Sequence, residues 1–120
     1  MKTLTAIGRI VYGLPFIVFG IFHFMRSEGM ANNIIPNWPI PEIIVYLSGA
    51  AIILGGLALL INKYAKLASF LLAIFLLLTI LTIHVPGTMD PETQQMAMTS
   101  MLKDLGLLGG ALVLASILKN

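Results

Sequence analysis

The last apolar segment, Met96–Leu118, reads MAMTSMLKDLGLLGGALVLASIL and carries a lysine and an aspartate, Lys103 and Asp104, side by side. The segment is long enough to cross a bilayer as a helix, which needs about 20 residues. Each ionisable group at membrane depth costs ~2.5–3.5 kcal/mol on insertion scales. Because such groups usually face a bundle interior, a wet cavity or a partner, this pair is the best pointer to a functional site.

The composition places the whole chain in a membrane. Of its 120 residues, 58% are hydrophobic and 10% are charged, whereas soluble domains have about 25% charged residues. So few charges cannot cover a surface that faces water. Lys and Arg are scattered without a basic stripe, which argues against nucleic acid as a partner. The absence of cysteine excludes disulfides and thiolate metal sites within this chain.

Three further apolar segments precede the last one, at about residues 4–25, 42–61 and 65–85, and each approaches the length of a membrane span. A signal peptide is a poorer interpretation of the first segment, because Arg9 interrupts it and no small-x-small cleavage site follows. An open sheet is excluded, because its edge groups would stay unpaired in lipid. We therefore expect one all-α domain over residues 1–120, a polytopic bundle of four transmembrane helices, with the fourth at about 91–118.

The distribution of lysine predicts the orientation. The N-terminus, the second connection and the C-terminus hold Lys2, Lys63, Lys66 and Lys119, and the other two connections hold only Arg26. By the positive-inside rule, we expect both termini to lie in the cytoplasm. The expected location is the inner (plasma) membrane.

The two outer connections contain helix-start signals. Three prolines predict an extended first connection, with Glu42 at the start of the second helix. Asp90 is expected to be the N-cap of the fourth helix, with Pro91 at its first position. Trp38 is interpreted as an anchor in the interfacial aromatic belt rather than as a residue that stacks on a ligand.

The first helix carries Arg9, Phe16 and His23 at intervals of seven residues, so they share one face, with Tyr12 and Gly20 beside them. Two interpretations of Arg9 stay open: it extends to lipid phosphates, or it is the charge partner in a structural ion pair within the bundle.

Four polar residues are expected at one depth near the outer surface. His23 and His84 end the first and third helices there, and Lys103 and Asp104 lie about 10 Å below Met96 in the fourth. Thr99, Lys103, Gly106 and Gly110 share a stripe, and Ser100, Asp104 and Ala111 form the next. Small residues mark packed helix faces in membranes, and the glycines of the second helix, Gly49, Gly55 and Gly56, offer a matching surface. The layer either binds a ligand or serves only as a structural ion-pair network.

The donors and the acceptor of this layer suit a lipid-soluble molecule with a carbonyl group, such as a quinone. A metal is a poorer interpretation, because no H-x-x-H, E-x-x-H or H-E-x-x-H spacing exists. No P-loop, dinucleotide fingerprint, nucleophile elbow or haem-attachment motif is found. We therefore expect no metal and no covalently bound cofactor, and any redox chemistry would need a borrowed or diffusible one.

Four short motifs in order resemble the DoxX family over nearly the whole chain: Arg9-x-x-Tyr12-Gly13, Phe19-Gly20-Ile21-Phe22-His23-Phe24, the ending Leu78–His84, and Leu102–Ala111. The resemblance implies a four-helix membrane protein. Members are linked to the DoxD subunit of thiosulfate:quinone oxidoreductase and to membrane oxidoreductase complexes for redox stress. Most members have no defined function, so the activity does not follow from the fold.

The leading functional hypothesis is a subunit associated with a quinone-linked redox system. In it, His23, His84 and Lys103 donate to a bound carbonyl or anion, and Asp104 accepts a proton or pairs with Lys103 or, at greater distance, Arg9. Two alternatives are a non-enzymatic assembly or chaperone-like subunit that docks a protein partner, and a carrier of small solutes or lipids, most simply a homodimer. Whether the chain itself catalyses a reaction stays open.

Overall fold

The structure is a computed structural model that describes residues 2–120. The helices are α1 (Lys2–Met25), α2 (Ser27–Asn33), α3 (Pro41–Ile61), α4 (Ala65–Gly87) and α5 (Gln94–Ile117). No strand occurs within residues 2–120, so the prediction of an all-α protein is confirmed.

Four of these helices, α1, α3, α4 and α5, are long and apolar enough to cross a membrane. The molecule measures 44 Å along its longest axis, more than the ~30 Å of a hydrocarbon core. Leucine, isoleucine and phenylalanine side chains are exposed along all four helices, which is the surface expected where lipid replaces water. The prediction of a polytopic transmembrane bundle is therefore confirmed.

Paired glycines set the contact between α1 and α3. A Cβ atom on Gly20 would lie 2.7 Å from the carbonyl oxygen of Gly49, and one on Gly13 would lie 3.0 Å from that of Gly56. The pairs are seven residues apart on both helices, which sets one antiparallel register. Phe16 is buried between them.

The sequence predicts that the glycines of α3 form one surface that packs against the last helix. The structure differs. Gly49 and Gly56 face α1, and Gly55 faces Leu72 of α4. On α5, Gly110 packs against the ring of Tyr12, whereas Gly106 and Gly109 have no atom of another element within 4 Å of a built Cβ.

The first outer connection differs from the extended loop that its prolines predict, because it contains the helix α2. Ala31 of α2 and Ile35 are buried against Val45 of α3, and Trp38 packs partly buried on the same cluster. The burial of these apolar groups folds the connection onto the end of the bundle. We call this end, which holds α2, the α2 end, and the opposite end, with residues 62–64, the Lys63 end.

The last helix begins at Gln94, later than the Pro91 that the sequence predicts. The carboxylate of Asp90 accepts the amide N–H of Glu92 at 3.0 Å, and the hydroxyl of Thr93 donates to the carbonyl of Gly87 at 2.7 Å. Asp90 therefore caps a separate turn, and Thr93 ties that turn to the end of α4 before α5 starts.

We expect Gly20→Leu to destabilise the protein by about 1–3 kcal/mol, because the added atoms overpack the contact with Gly49 and Ile53. Gly109→Leu is the matched control, since its side chain meets open space. The measurement is the unfolding free energy of both variants in lipid bicelles by steric trapping. Equal stability of the two variants would contradict the conclusion that glycine is required where α1 and α3 approach each other.

Candidate functional site: a carboxylate between two donors

Asp104 is the centre of the polar cluster. Its Oδ2 accepts a hydrogen bond from Nε2 of His84 at 2.9 Å, and its Oδ1 lies 3.3 Å from Nζ of Lys103. The Asp104 side chain is only 6% exposed, whereas that of Lys103 is 49% exposed. Because a buried carboxylate is expensive unless it is paired, these two donors are what permits a charge at this depth.

The helix that delivers His84 is locally widened. Residues Ile80–His84 form a π-helical turn, in which the N–H of Val85 donates to the carbonyl of Ile80. Pro86 follows and has no N–H to continue the regular α-helical pattern. Such single π turns are frequent at functional sites, and this one shifts His84 relative to a regular helix.

Lys103 also contacts α1. Its ammonium group lies 4.7 Å from the centre of the Phe19 ring, a cation–π distance. One to two turns away, the hydroxyl of Tyr12 donates to the carbonyl of Leu107. His84 and Asp104 thus join α4 to α5, whereas Lys103 and Tyr12 bridge α1 and α5 and lie in the seam between those two helices. We call this the α1–α5 seam.

His23 does not join the cluster. Its Nδ1–H donates to the carbonyl of Phe19, one turn back in α1, at 2.6 Å, and its Cβ lies against Gly49 of α3. Of the four residues predicted to share one layer, the structure brings His84, Lys103 and Asp104 together.

Arg9 has a partner that neither sequence interpretation includes. Its guanidinium is buried and donates to the carbonyls of Leu59 (a close contact) and Leu60 (3.1 Å) in the last turn of α3. The last carbonyls of a helix have no intrahelical donor and carry the negative end of its dipole. Arg9 therefore caps α3 at the Lys63 end, far from Asp104.

The two threonines of α4 bond within their own helix. The hydroxyls of Thr79 and Thr82 donate to the carbonyls of Phe75 and Leu78 at 2.9 and 2.7 Å. Trp38 is half-buried in the cluster under α2.

Two residues that contact the cluster or the seam have no role in the sequence prediction. Phe19 supports Lys103, and Tyr12 ties α1 to α5 where Gly110 leaves room for its ring. Their signal in the sequence is the spacing of Tyr12, Phe16 and Phe19, which places three aromatic rings along adjacent positions of one helix face.

Two cavities of the described chain lie away from this cluster. One, of about 340 Å³, lies between α3 and α4 and is lined by apolar residues and Tyr64. Another lies between α4 and α5 at the Lys63 end, beside Lys66 and Asn120. Neither of these two cavities borders Asp104. Within residues 2–120 no group of three or more His, Asp or Glu side chains could hold a metal.

A family model described as DoxX matches residues 4–85, which is more than half of the chain and includes α1, α3 and His84 but not Lys103 or Asp104. No curated protein and no solved structure matches the chain.

We expect Arg9→Met to destabilise the protein by about 1–3 kcal/mol, because the buried carbonyl of Leu59 and the partly buried carbonyl of Leu60 lose their donor. Lys66→Met is the matched control, since exposed Lys66 donates to the carbonyl of Ala115 in the last turn of α5. The loss there is expected to be smaller, because water can replace the ammonium. Steric trapping in bicelles measures the unfolding free energy of both variants. An equal loss of stability in the two would contradict the interpretation of Arg9 as a buried cap of α3.

Double-mutant cycles are expected to separate the two partners of Asp104. The coupling of His84→Ala with Asp104→Ala should be about 1.5–3 kcal/mol, the range for a hydrogen bond to a charged group. That of Lys103→Ala with Asp104→Ala should be below ~1 kcal/mol, because half of the Lys103 side chain is exposed. A larger Lys103 coupling would reverse this ranking of the partners.

Proposed function

The chain belongs to the DoxX family, and on that premise we propose that it is a subunit of a quinone-linked redox system in the inner (plasma) membrane. The observation that carries the proposal is the buried Asp104 carboxylate between His84 and Lys103. Ionisable residues inside a membrane span mark proton relays and ligand pathways. The lysines at the Lys63 end support an orientation with both termini in the cytoplasm.

The cluster supplies what a quinone head group needs from a protein. A quinone takes up two protons with two electrons, and a quinol releases them. The ammonium of Lys103, half-exposed in the α1–α5 seam, is placed to donate to a carbonyl oxygen that enters between the helices. Asp104 contacts this ammonium group and is hydrogen-bonded to His84, so the His84–Asp104 pair can pass a proton to or from that oxygen through Lys103.

The electrons would come from another protein. The sequence contains no motif for a haem, flavin or dinucleotide, and no cysteine. In this proposal the chain binds and orients the head group and moves protons, while a partner protein delivers or accepts the electrons.

Lys103→Ala and Asp104→Asn are expected to weaken quinone binding at least about 10-fold, the effect of losing a hydrogen bond worth about 1.4 kcal/mol. Lys63→Ala and His23→Ala are the controls, since one lies at the opposite end and the other bonds within α1. The measurement is titration of the nanodisc-embedded protein with a short-chain quinone. Absence of binding, with unchanged membrane redox activity in Lys103→Ala and His84→Ala, would disprove the proposal.

A second candidate function, an assembly subunit, is favoured by a separate observation. Gly106 and Gly109 face open space on α5, and small residues on a lipid-facing surface permit close approach of another helix. Copurification of a stable partner that Gly106→Ile and Gly109→Ile abolish, without quinone binding, would support this candidate over the first. A carrier would instead be identified by solute or lipid flux in liposomes.

A further inference from the structure

Methionine is distributed unevenly in this protein. The six methionines of residues 2–120 all lie at the α2 end: Met25, Met30, Met89, Met96, Met98 and Met101. Away from the α2 end, the large apolar side chains that are exposed are all leucine, isoleucine, valine or aromatic residues. Side-chain volume does not explain this, because leucine and methionine are similar in size and exchange at apolar positions at little cost.

Three of these thioethers are also the most exposed large apolar side chains of the described chain. Met89, Met96 and Met25 are 78%, 77% and 74% exposed, above every lipid-facing leucine or isoleucine. Met89 lies in the turn between α4 and α5, Met25 ends α1, and Met96 follows the polar residues Thr93–Gln95. Their neighbours in the chain therefore place them at the water boundary and not in the hydrocarbon core.

The property that separates methionine from leucine at such positions is the chemistry of its sulfur. Two classes of reagent exploit it, soft metal ions and two-electron oxidants. A soft-metal site needs several sulfurs directed at one point, whereas oxidation needs only that each sulfur is accessible. The observation here is accessibility, so it favours oxidation.

We infer that Met25, Met89 and Met96 form an oxidant-reactive surface at the α2 end, which consumes small two-electron oxidants such as hydrogen peroxide or hypochlorous acid. In each reaction the sulfur gives two electrons and forms an S–O bond. The O–O bond of the peroxide or the O–Cl bond of hypochlorous acid breaks, and water or chloride with a proton leaves. The sulfoxide can be reduced again by methionine sulfoxide reductases, which makes the surface renewable.

The position of this surface relative to the polar cluster gives it a protective effect. Met96 lies seven residues before Lys103 in α5, roughly 10 Å along the helix axis. An oxidant that approaches the cluster from the aqueous side of the α2 end meets exposed thioethers first. Met30 and Met101 are partly buried, and Met98 is 40% exposed, so all three are less accessible than the three thioethers of this surface.

The test is oxidation of the protein in nanodiscs, where both ends are accessible to water, followed by peptide mass spectrometry. With excess hydrogen peroxide, initial sulfoxide formation at Met25, Met89 and Met96 is expected to be at least about 5-fold faster than at Met30 and Met101. Equal or slower rates at the three exposed positions would overturn the inference.

Leu54→Met provides a matched control. Leu54 is 67% exposed in the middle of α3, so its replacement is almost as exposed but faces lipid. We expect the new thioether to oxidise several-fold more slowly than Met96. Oxidation as fast as at Met96 would show that the α2 end is not special, and would also overturn the inference.

A competition experiment tests protection. With three equivalents of hypochlorous acid, the wild-type protein should keep most of Met30 and Met101 unoxidised. The triple variant Met25→Leu/Met89→Leu/Met96→Leu should lose them. The same loss in both proteins would contradict a protective surface. None of these experiments involves a quinone, so their outcome does not depend on whether the proposed quinone-linked function is correct.

Discussion

The close approach of α1 and α3 at two glycine pairs is the constraint on which the rest of the structure depends. A helix pair in lipid gains no hydrophobic stabilisation from association, so it relies on packing, and Gly13–Gly56 and Gly20–Gly49 let the two backbones come together. The same register places Arg9 beside the last turn of α3, where its guanidinium satisfies carbonyls that no helix amide can reach. One spacing of seven residues thus determines both the packing and the cap.

The α1–α5 contact is of a different kind. It relies on side chains, the Tyr12 hydroxyl on the Leu107 carbonyl and the Lys103 ammonium over the Phe19 ring, rather than on paired glycines. Helices held apart by side chains separate more readily than helices in backbone contact, because fewer atoms lose their neighbours. Lys103 therefore lies in the less tightly packed of the two contacts.

Apolar patterning predicts the four spanning helices, because a run of about 20 apolar residues has few alternatives in a bilayer. It also places His84, Lys103 and Asp104 at one depth. It does not predict α2, which is stabilised by the packing of Ala31 and Ile35 against Val45. It also does not predict that His23 bonds to the carbonyl of Phe19, one turn back in its own helix, rather than within the cluster. The π turn before Pro86, which shifts His84, has no pattern of its own in the sequence.

Stability alone does not explain a carboxylate at position 104. An apolar side chain of similar volume would pack between α4 and α5 without the cost of removing a charge from water, and such replacements are often neutral or stabilising. The asymmetry of the two partners is informative in the same way: His84 is nearly enclosed, while half of Lys103 remains exposed. A purely structural ion pair is best enclosed on both sides. Under the proposed function, the enclosed His84 would hold the proton and the accessible Lys103 would meet the ligand.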